Sequence, residues 1–338
     1  MKHIKRTAAA VALTASVLLV SGCSSSTTAD TSKNAADGKP IVNKDNWPKK
    51  IPTSGLTKDL TLPLEAYMTS YADQVTVDQT TNDLEQSCMK DYGIDLTLPL
   101  AGANPPPSDN DANIERRYGI TDRAEAAKYG YELPPALQQH TEQTIRDLSG
   151  AEVEVLTGHT KPELPNAAKG VKAGGPLAAP GQGAKPARAE YNGKKLKAGG
   201  CVGWSKDQLG VKATDPTFVA QLAGDSLVQS MKDDKVTKAI AAWSSCMDGK
   251  GHRELADPYK AMDQGVTNDG QPTQESIALA VDDVDCKTQT DLVKIWFGVE
   301  TAIQNQQIAD NKTTLTGIKE QHGKELAAAR QQMAASAR

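Results

Sequence analysis

The chain has 338 residues, and its 38 Lys plus Arg against 42 Asp plus Glu leave a formal net charge of −4, with no basic excess to engage nucleic acid. Aromatic residues make up 4%, with only two Phe, so a carbohydrate-stacking surface is poorly supplied. Charged residues at 24% match an ordinary globular chain and argue against wholesale disorder.

The N-terminus reads as an export signal. Lys2, Lys5 and Arg6 form a positive region, followed by an apolar run from Ala8 to Val20. That run is too short to cross a bilayer, which takes about 20 residues, but it suits a signal peptide. It ends in Leu19-Val20-Ser21-Gly22-Cys23, which looks like a bacterial lipobox whose Cys thiol takes a diacylglycerol. Cleavage before Cys23 removes three cationic side chains and no acid, so the mature chain is more acidic. Acyl chains on Cys23, palmitate among them, would anchor the chain to the outer face of the cytoplasmic membrane. Ser24 to about Lys50 is polar, with scarcely a large apolar residue, and reads as a tether.

The folded part is expected to be mainly α, built as two disulfide-closed helical hairpins with long irregular connections and a long C-terminal helix. From Leu62, the residues Leu64, Tyr67, Met68 and Tyr71 recur at helical spacing, and Leu84 and Cys88 continue the pattern. Asp215-Pro216 predicts a helix start, with Phe218, Leu222, Leu227 and Met231 as its apolar stripe. Asp234 is read as the cap of a run bearing Val236, Ile240, Trp243 and Met247. The clearest periodicity runs through Ile277, Val281, Val284, Leu292, Ile295, Trp296, Val299 and Ile303. It continues, or restarts near Thr313, through Leu315, Ile318 and Leu326. Val153 to Leu156 and Asp95 to Leu100 are the two strand candidates. The expected divisions are a signal peptide over 1–22, lipidated Cys and tether over 23–60, a first helical half over 61–160, a loop over 161–200 and a second helical half over 201–338.

A weak internal repeat organises these halves. Leu84-Glu-Gln-Ser-Cys88-Met89-Lys-Asp-Tyr-Gly93-Ile94 parallels Ala242-Trp-Ser-Ser-Cys246-Met247-Asp-Gly-Lys-Gly251-His252. Each is a helix end with Cys-Met and then a Gly where a left-handed cap favours it. Each is followed by a long stretch and one further Cys, Cys201 or Cys286. Setting aside Cys23, four cysteines in an oxidising compartment favour two disulfides. The repeat selects Cys88–Cys201 and Cys246–Cys286 from the three possible pairings, each worth about 4–5 kcal/mol by chain entropy.

Between Lys161 and Gly200 lie eight Gly, five Pro and nine Ala, with eight Lys plus Arg against two Glu. This basic segment lacks periodicity and is expected to be a mobile loop whose partners, if any, are anionic.

No catalytic, metal or cofactor residues are expected. Paired Cys-x-x-Cys spacings, His-Glu-x-x-His, Gly-x-Ser-x-Gly and a phosphate-cradling loop are all missing from the sequence. Gly199-Gly200-Cys201-Val202-Gly203 superficially resembles the stretch around a transpeptidase nucleophile but lacks a neighbouring His, His159 being the nearest upstream. Asp109, Asp111 and Asn113 begin like a calcium loop, yet Ile114 stands where Gly is needed and Ile120 where Glu should close it. Asp282, Asp283 and Asp285 read as a solvated acidic helix face, with a cation site conceivable. His140 and His322 read as surface residues. Trp243 and Trp296 fall on apolar stripes and belong to the core; Trp47 and Trp204 lie off such stripes and are candidates for a contact surface.

The lipobox, Leu62-Pro63-Leu64-Glu65-Ala66-Tyr67, Arg117-Tyr118-Gly119 with Gly130-Tyr131, Trp243-x-x-Cys246-Met247 and Ile277-Ala278…Asp282-x-x-x-Cys286 together resemble exported lipoproteins of high-GC Gram-positive bacteria. The resemblance covers about Leu62 to Leu326. It implies a function that is unassigned in the family, with some members similar to accessory components of envelope export systems. The expectation is therefore a membrane-anchored, non-enzymatic binding protein with an envelope partner. A cell-wall-acting enzyme and a solute-binding lipoprotein of an importer are the alternatives.

Overall fold

A computed structural model describes residues 42–106, 116–138, 140–143, 145–161, 185–212, 217–267 and 269–336. The lipobox with Cys23 and the Asp109 to Asn113 turn lie outside the described residues. Val42 to Arg338 forms one compact unit, so residues 42–60, expected in the tether, belong to the folded body. Residues 42–60 are anchored: Trp47 Nε1 donates to Gly102 O at 2.9 Å, and Thr57 meets Thr121 in a buried hydroxyl pair at 3.2 Å.

The body is mainly helical. In chain order its elements are α1 (Tyr71–Asp91), α2 (Arg123–Tyr129), α3 (Pro135–Gln138), α4 (Gly150–Thr157), β1 (Glu190–Tyr191), β2 (Lys194–Lys195), α5 (Gly200–Leu209), α6 (Phe218–Ser230), α7 (Asp234–Gly249), α8 (Pro258–Gly265), α9 (Gln274–Gln289), α10 (Leu292–Asp310) and α11 (Lys312–Ser336). The Leu64 to Tyr71 stripe does not make one helix. Pro63–Tyr67 is a 3-10 turn, and α1 starts afresh where Ser70 accepts from Asp73 N at 3.2 Å. Asp233, not Asp234, caps α7, accepting from Lys235 N. Asp215 and Pro216 are outside the described residues; Thr217 flanks α6. The long C-terminal pattern is three helices, interrupted at Asp291, whose φ of +52° leaves the helical region, and at Asn311.

Neither strand candidate forms a strand. Val153 to Leu156 belongs to α4, nucleated by a capping box in which Ser149 and Glu152 satisfy each other's backbone N–H groups. Asp95 to Leu100 has no regular structure. Among the described residues the two-stranded pairing lies in the expected loop: Glu190 faces Lys195 and Tyr191 faces Lys194 across Asn192-Gly193, both at positive φ. Asn-Gly is a strong two-residue hairpin signal that the composition of this segment masks. Residues 185–200 are therefore built into the body, correcting the mobile-loop expectation there. Tyr92 Oη donates to Lys195 O at 3.0 Å and accepts from Lys197 N at 3.1 Å, while Tyr191 and Leu196 pack on a small core.

Both disulfides form as the repeat predicts, with Cα–Cα distances of 5.6 Å for Cys88–Cys201 and 5.7 Å for Cys246–Cys286. The two helix ends match bond for bond. Met89 O accepts from Tyr92 N and Ile94 N, each at 3.0 Å, and Met247 O accepts from Lys250 N and His252 N, each at 3.0 Å. Gly93 and Gly251 stand at φ +77° and +96°, values that penalise any residue with a Cβ. The partners are not equivalent. Cys201 lies in the first turn of α5, whereas Cys286 lies in the last turn of α9.

Three apolar clusters result. The largest gathers Trp243 and Met247 of α7, Val284 and Cys286 of α9, and Leu292 and Trp296 of α10 around Tyr118, Ile120 and Tyr131. A second surrounds Cys88–Cys201, and a third joins Leu64 to Val219, Leu315 and Ile318. Trp243 and Trp296 are wholly buried, as their stripes require. Trp47 and Trp204 are half-buried, and each has a partner within the chain. Trp47 stacks edge-on against Tyr71, and Trp204 lies under the Lys197 ammonium at 3.8 Å.

Candidate functional site

The polar chemistry of this body concentrates in two buried centres flanking the main core. The first is built from segments far apart in sequence. Arg117 and Tyr118 enter before α2, Glu300 and Gln304 come from α10, and Ser226 comes from α6. Arg117 Nε donates to Glu300 Oε1 and Oε2 at 3.0 and 3.1 Å, and its Nη2 reaches the same carboxylate and Ala223 O. Tyr118 Oη donates to Glu300 Oε2 at 2.8 Å, and Ser226 Oγ lies 2.7 Å from Glu300 Oε1. Gln304 extends the network, donating to Ser226 Oγ at 3.0 Å and accepting from Leu64 N at 3.0 Å.

All five side chains are buried. Burial works against the Arg117 charge, but the Glu300 carboxylate more than offsets it and holds the guanidinium above its ordinary value. Burial and then the nearby Glu300 charge push the Tyr118 hydroxyl well up, so it remains a donor. A buried bidentate pair of this kind is strong only because its remaining lone pairs are filled.

The second centre lies between α7 and α9. Lys287 Nζ donates to Ile120 O at 2.8 Å and to Asp283 Oδ2 at 3.0 Å. The Asp283 carboxylate also accepts from Tyr131 Oη at 3.1 Å and Trp243 Nε1 at 2.9 Å. Burial raises Asp283 and lowers Lys287 from their ordinary values, while their mutual contact opposes both shifts.

The acidic triplet on α9 therefore splits. Asp283 points inward and is wholly buried, contrary to the solvated-face expectation. Asp282 and Asp285 stay at the surface but are paired. Asp282 meets Lys250 at 2.8 Å and His252 at 2.9 Å, and Asp285 takes a two-pronged contact from Arg123 at 2.7 and 3.2 Å. Partial burial works against the Asp282 charge, yet the bonds from Lys250 and His252 outweigh it and hold the carboxyl below its usual range. No group of three or more His, Cys, Asp or Glu that could hold a metal ion occurs among the described residues.

The remaining candidates fall into place individually. Cys201 is tied to Cys88 and wholly buried, so it presents no thiol for nucleophilic attack. His159 contacts its neighbour Thr157 O at 3.0 Å, His140 is exposed, and half-buried His322 bonds Thr69 at 3.0 Å. A shallow groove of about 520 Å³ runs along α10 past Lys294, Gly298, Val299 and Ala302 to Asp233 and Lys235. Glu300, Ser226 and Gln304 escape sequence reasoning because each sits singly among unremarkable helical residues. The Arg117-Tyr118 dipeptide stands out in the sequence, but nothing local to it announces a carboxylate 183 positions away.

Comparison with protein-family models, with curated proteins and with solved structures finds no match for this chain.

Proposed function

We propose that this protein is a lipid-anchored, extracytoplasmic component of the cell envelope that acts by binding a protein partner of a transport or export assembly. The observation that carries this reading is the pairing of Cys88, Cys201, Cys246 and Cys286 in a chain whose fifth cysteine, Cys23, ends a lipobox-like run. Two disulfides fit an oxidising compartment, and a doubly acylated cysteine fits stable attachment to the membrane. No described helix is long and apolar enough to cross a membrane; in this reading the lipobox-like run ending at Cys23 supplies the attachment. The buried charges are engaged in holding helices together, which favours a scaffold that presents its surface. An importer's solute-binding body would need two α/β lobes, and the paired strands among the described residues span two positions each.

The test has two parts. Cys23→Ala should leave the protein unprocessed or released from the membrane; normal maturation and fractionation would refute lipidation. Cross-linking and recovery of the wild-type protein from detergent-solubilised membranes should yield one reproducible membrane partner. Recovery of wall fragments, or turnover of them, would favour the enzyme reading instead.

A further inference from the structure

The two disulfides differ in what covers them. Cys88 and Cys201 are both 0% exposed and lie inside the second core, beneath Tyr92, Val155 and Leu96. Cys286 is likewise 0% exposed, but Cys246 is only partly buried. Its Sγ lies 3.5 Å from Oε1 of Gln289, an exposed side chain at the end of α9. Of the four cysteines Cys246 is therefore the one that is partly accessible: it packs on the edge of the main core, with the exposed Gln289 amide beside its sulfur. Thiol–disulfide exchange requires a thiolate to reach a sulfur, so access decides which bond opens and at which atom.

We propose that Cys246 is a thiol-exchange site of the native protein, attacked by dithiol reductants, with Cys88–Cys201 as an inert structural bond. A thiolate of the dithiol attacks Cys246 Sγ, forming a mixed disulfide there as the Cys246–Cys286 bond breaks. Cys286 leaves with the electron pair and takes the proton released when the second thiol of the reductant ionises. That second thiolate then attacks the reductant's own sulfur in the mixed disulfide. It releases Cys246 as a thiolate, which water protonates, and the reductant departs as a cyclic disulfide. Two electrons pass from the dithiol to the protein.

The helices stay joined when this bond opens. Trp243 Nε1 still donates to Asp283 at 2.9 Å, and Lys250 and His252 of the α7 end still hold Asp282 of α9. Exchange is therefore reversible within a folded body, and the two sulfurs remain positioned to re-form their bond. This inference stands whether or not Cys23 is lipidated.

The experiment is limited reduction of the oxidised mature protein with dithiothreitol, followed by alkylation and peptide mapping over time. Cys246 and Cys286 should become alkylated at least about tenfold faster than Cys88 and Cys201, a ratio that should collapse toward unity in denaturant, where access is equal. A parallel reaction with glutathione, quenched early, should place the mixed disulfide on Cys246. Equal native rates, faster opening of Cys88–Cys201, or glutathione found first on Cys286 would each overturn the proposal. Unfolding of the species reduced only at Cys246–Cys286, seen as loss of its near-ultraviolet circular dichroism, would refute its reversibility in the native body.

Discussion

Lys287 Nζ and Asp283 Oδ2 lie 3.0 Å apart one turn from each other on α9, and both side chains are entirely shielded from solvent. Each would be costly alone. Together with the carbonyl of Ile120, the hydroxyl of Tyr131 and the indole of Trp243, they lock α9 to α7 and to the segments flanking α2.

Lys287→Met should therefore destabilise the protein by about 3–5 kcal/mol, because it strands a buried carboxylate. Adding Asp283→Asn should restore much of that loss, since the amide oxygen still accepts from Trp243 and no charge remains. Urea unfolding with the disulfides intact measures both. The deficit of Lys287→Met should shrink as pH falls, because Asp283 is already raised by burial and protonation removes its charge. A double variant worse than the single one would contradict this account.

The capping box of α4 carries a pH signature. Arg146 first, and then the Ser149 backbone N–H, hold the Glu152 carboxyl at about 2. A carboxyl lowered on folding stabilises above its unfolded value and loses that contribution as pH drops through the folded one. The stability advantage of the wild type over Glu152→Gln should be full near neutrality, decline below about pH 4.5 and vanish only below about pH 2. Hydrogen exchange of the α4 amides reports it directly; an advantage constant with pH would exclude the charged cap.

Gly200 and Gly193 separate two costs. Both have positive φ, +67° and +72°, but a Cβ on Gly193 meets nothing, while one on Gly200 would sit 2.4 Å from Gly158 N and 2.7 Å from Leu156 O. Gly193→Ala should lose about 1–2 kcal/mol from the left-handed backbone alone. Gly200→Ala should lose clearly more and loosen the start of α5 that carries Cys201. Equal melting temperatures for the two variants would show that the close approach of α4 and α5 is unimportant.

Tyr92→Phe tests the attachment of the basic hairpin. It removes the hydroxyl shared by Lys195 O and Lys197 N, leaving a half-buried carbonyl and amide without that partner, at about 1–3 kcal/mol. Exchange of the Leu196 and Lys197 amides should accelerate while α7 and α9 stay protected. Unchanged exchange across residues 190–197 would mean the hairpin is held by apolar packing.

Several features are legible without coordinates because they depend on groups within a turn or two of one another. Cys-Met followed by Gly predicts two matching helix ends, and their equivalence selects the disulfide pairing. Trp243 and Trp296 announce themselves as core by their place on apolar stripes. Other features need the tertiary structure. Helical spacing puts Asp282, Asp283 and Asp285 on one element but cannot say which of them faces Trp243 and Tyr131; burial of Asp283 follows from donors that α7 and the chain before α3 bring to it. Likewise Arg117 and Glu300 carry no local mark of each other. Their pairing arises because a buried charge must be satisfied, and only the packed arrangement of α6 and α10 around Tyr118 brings every required donor within reach.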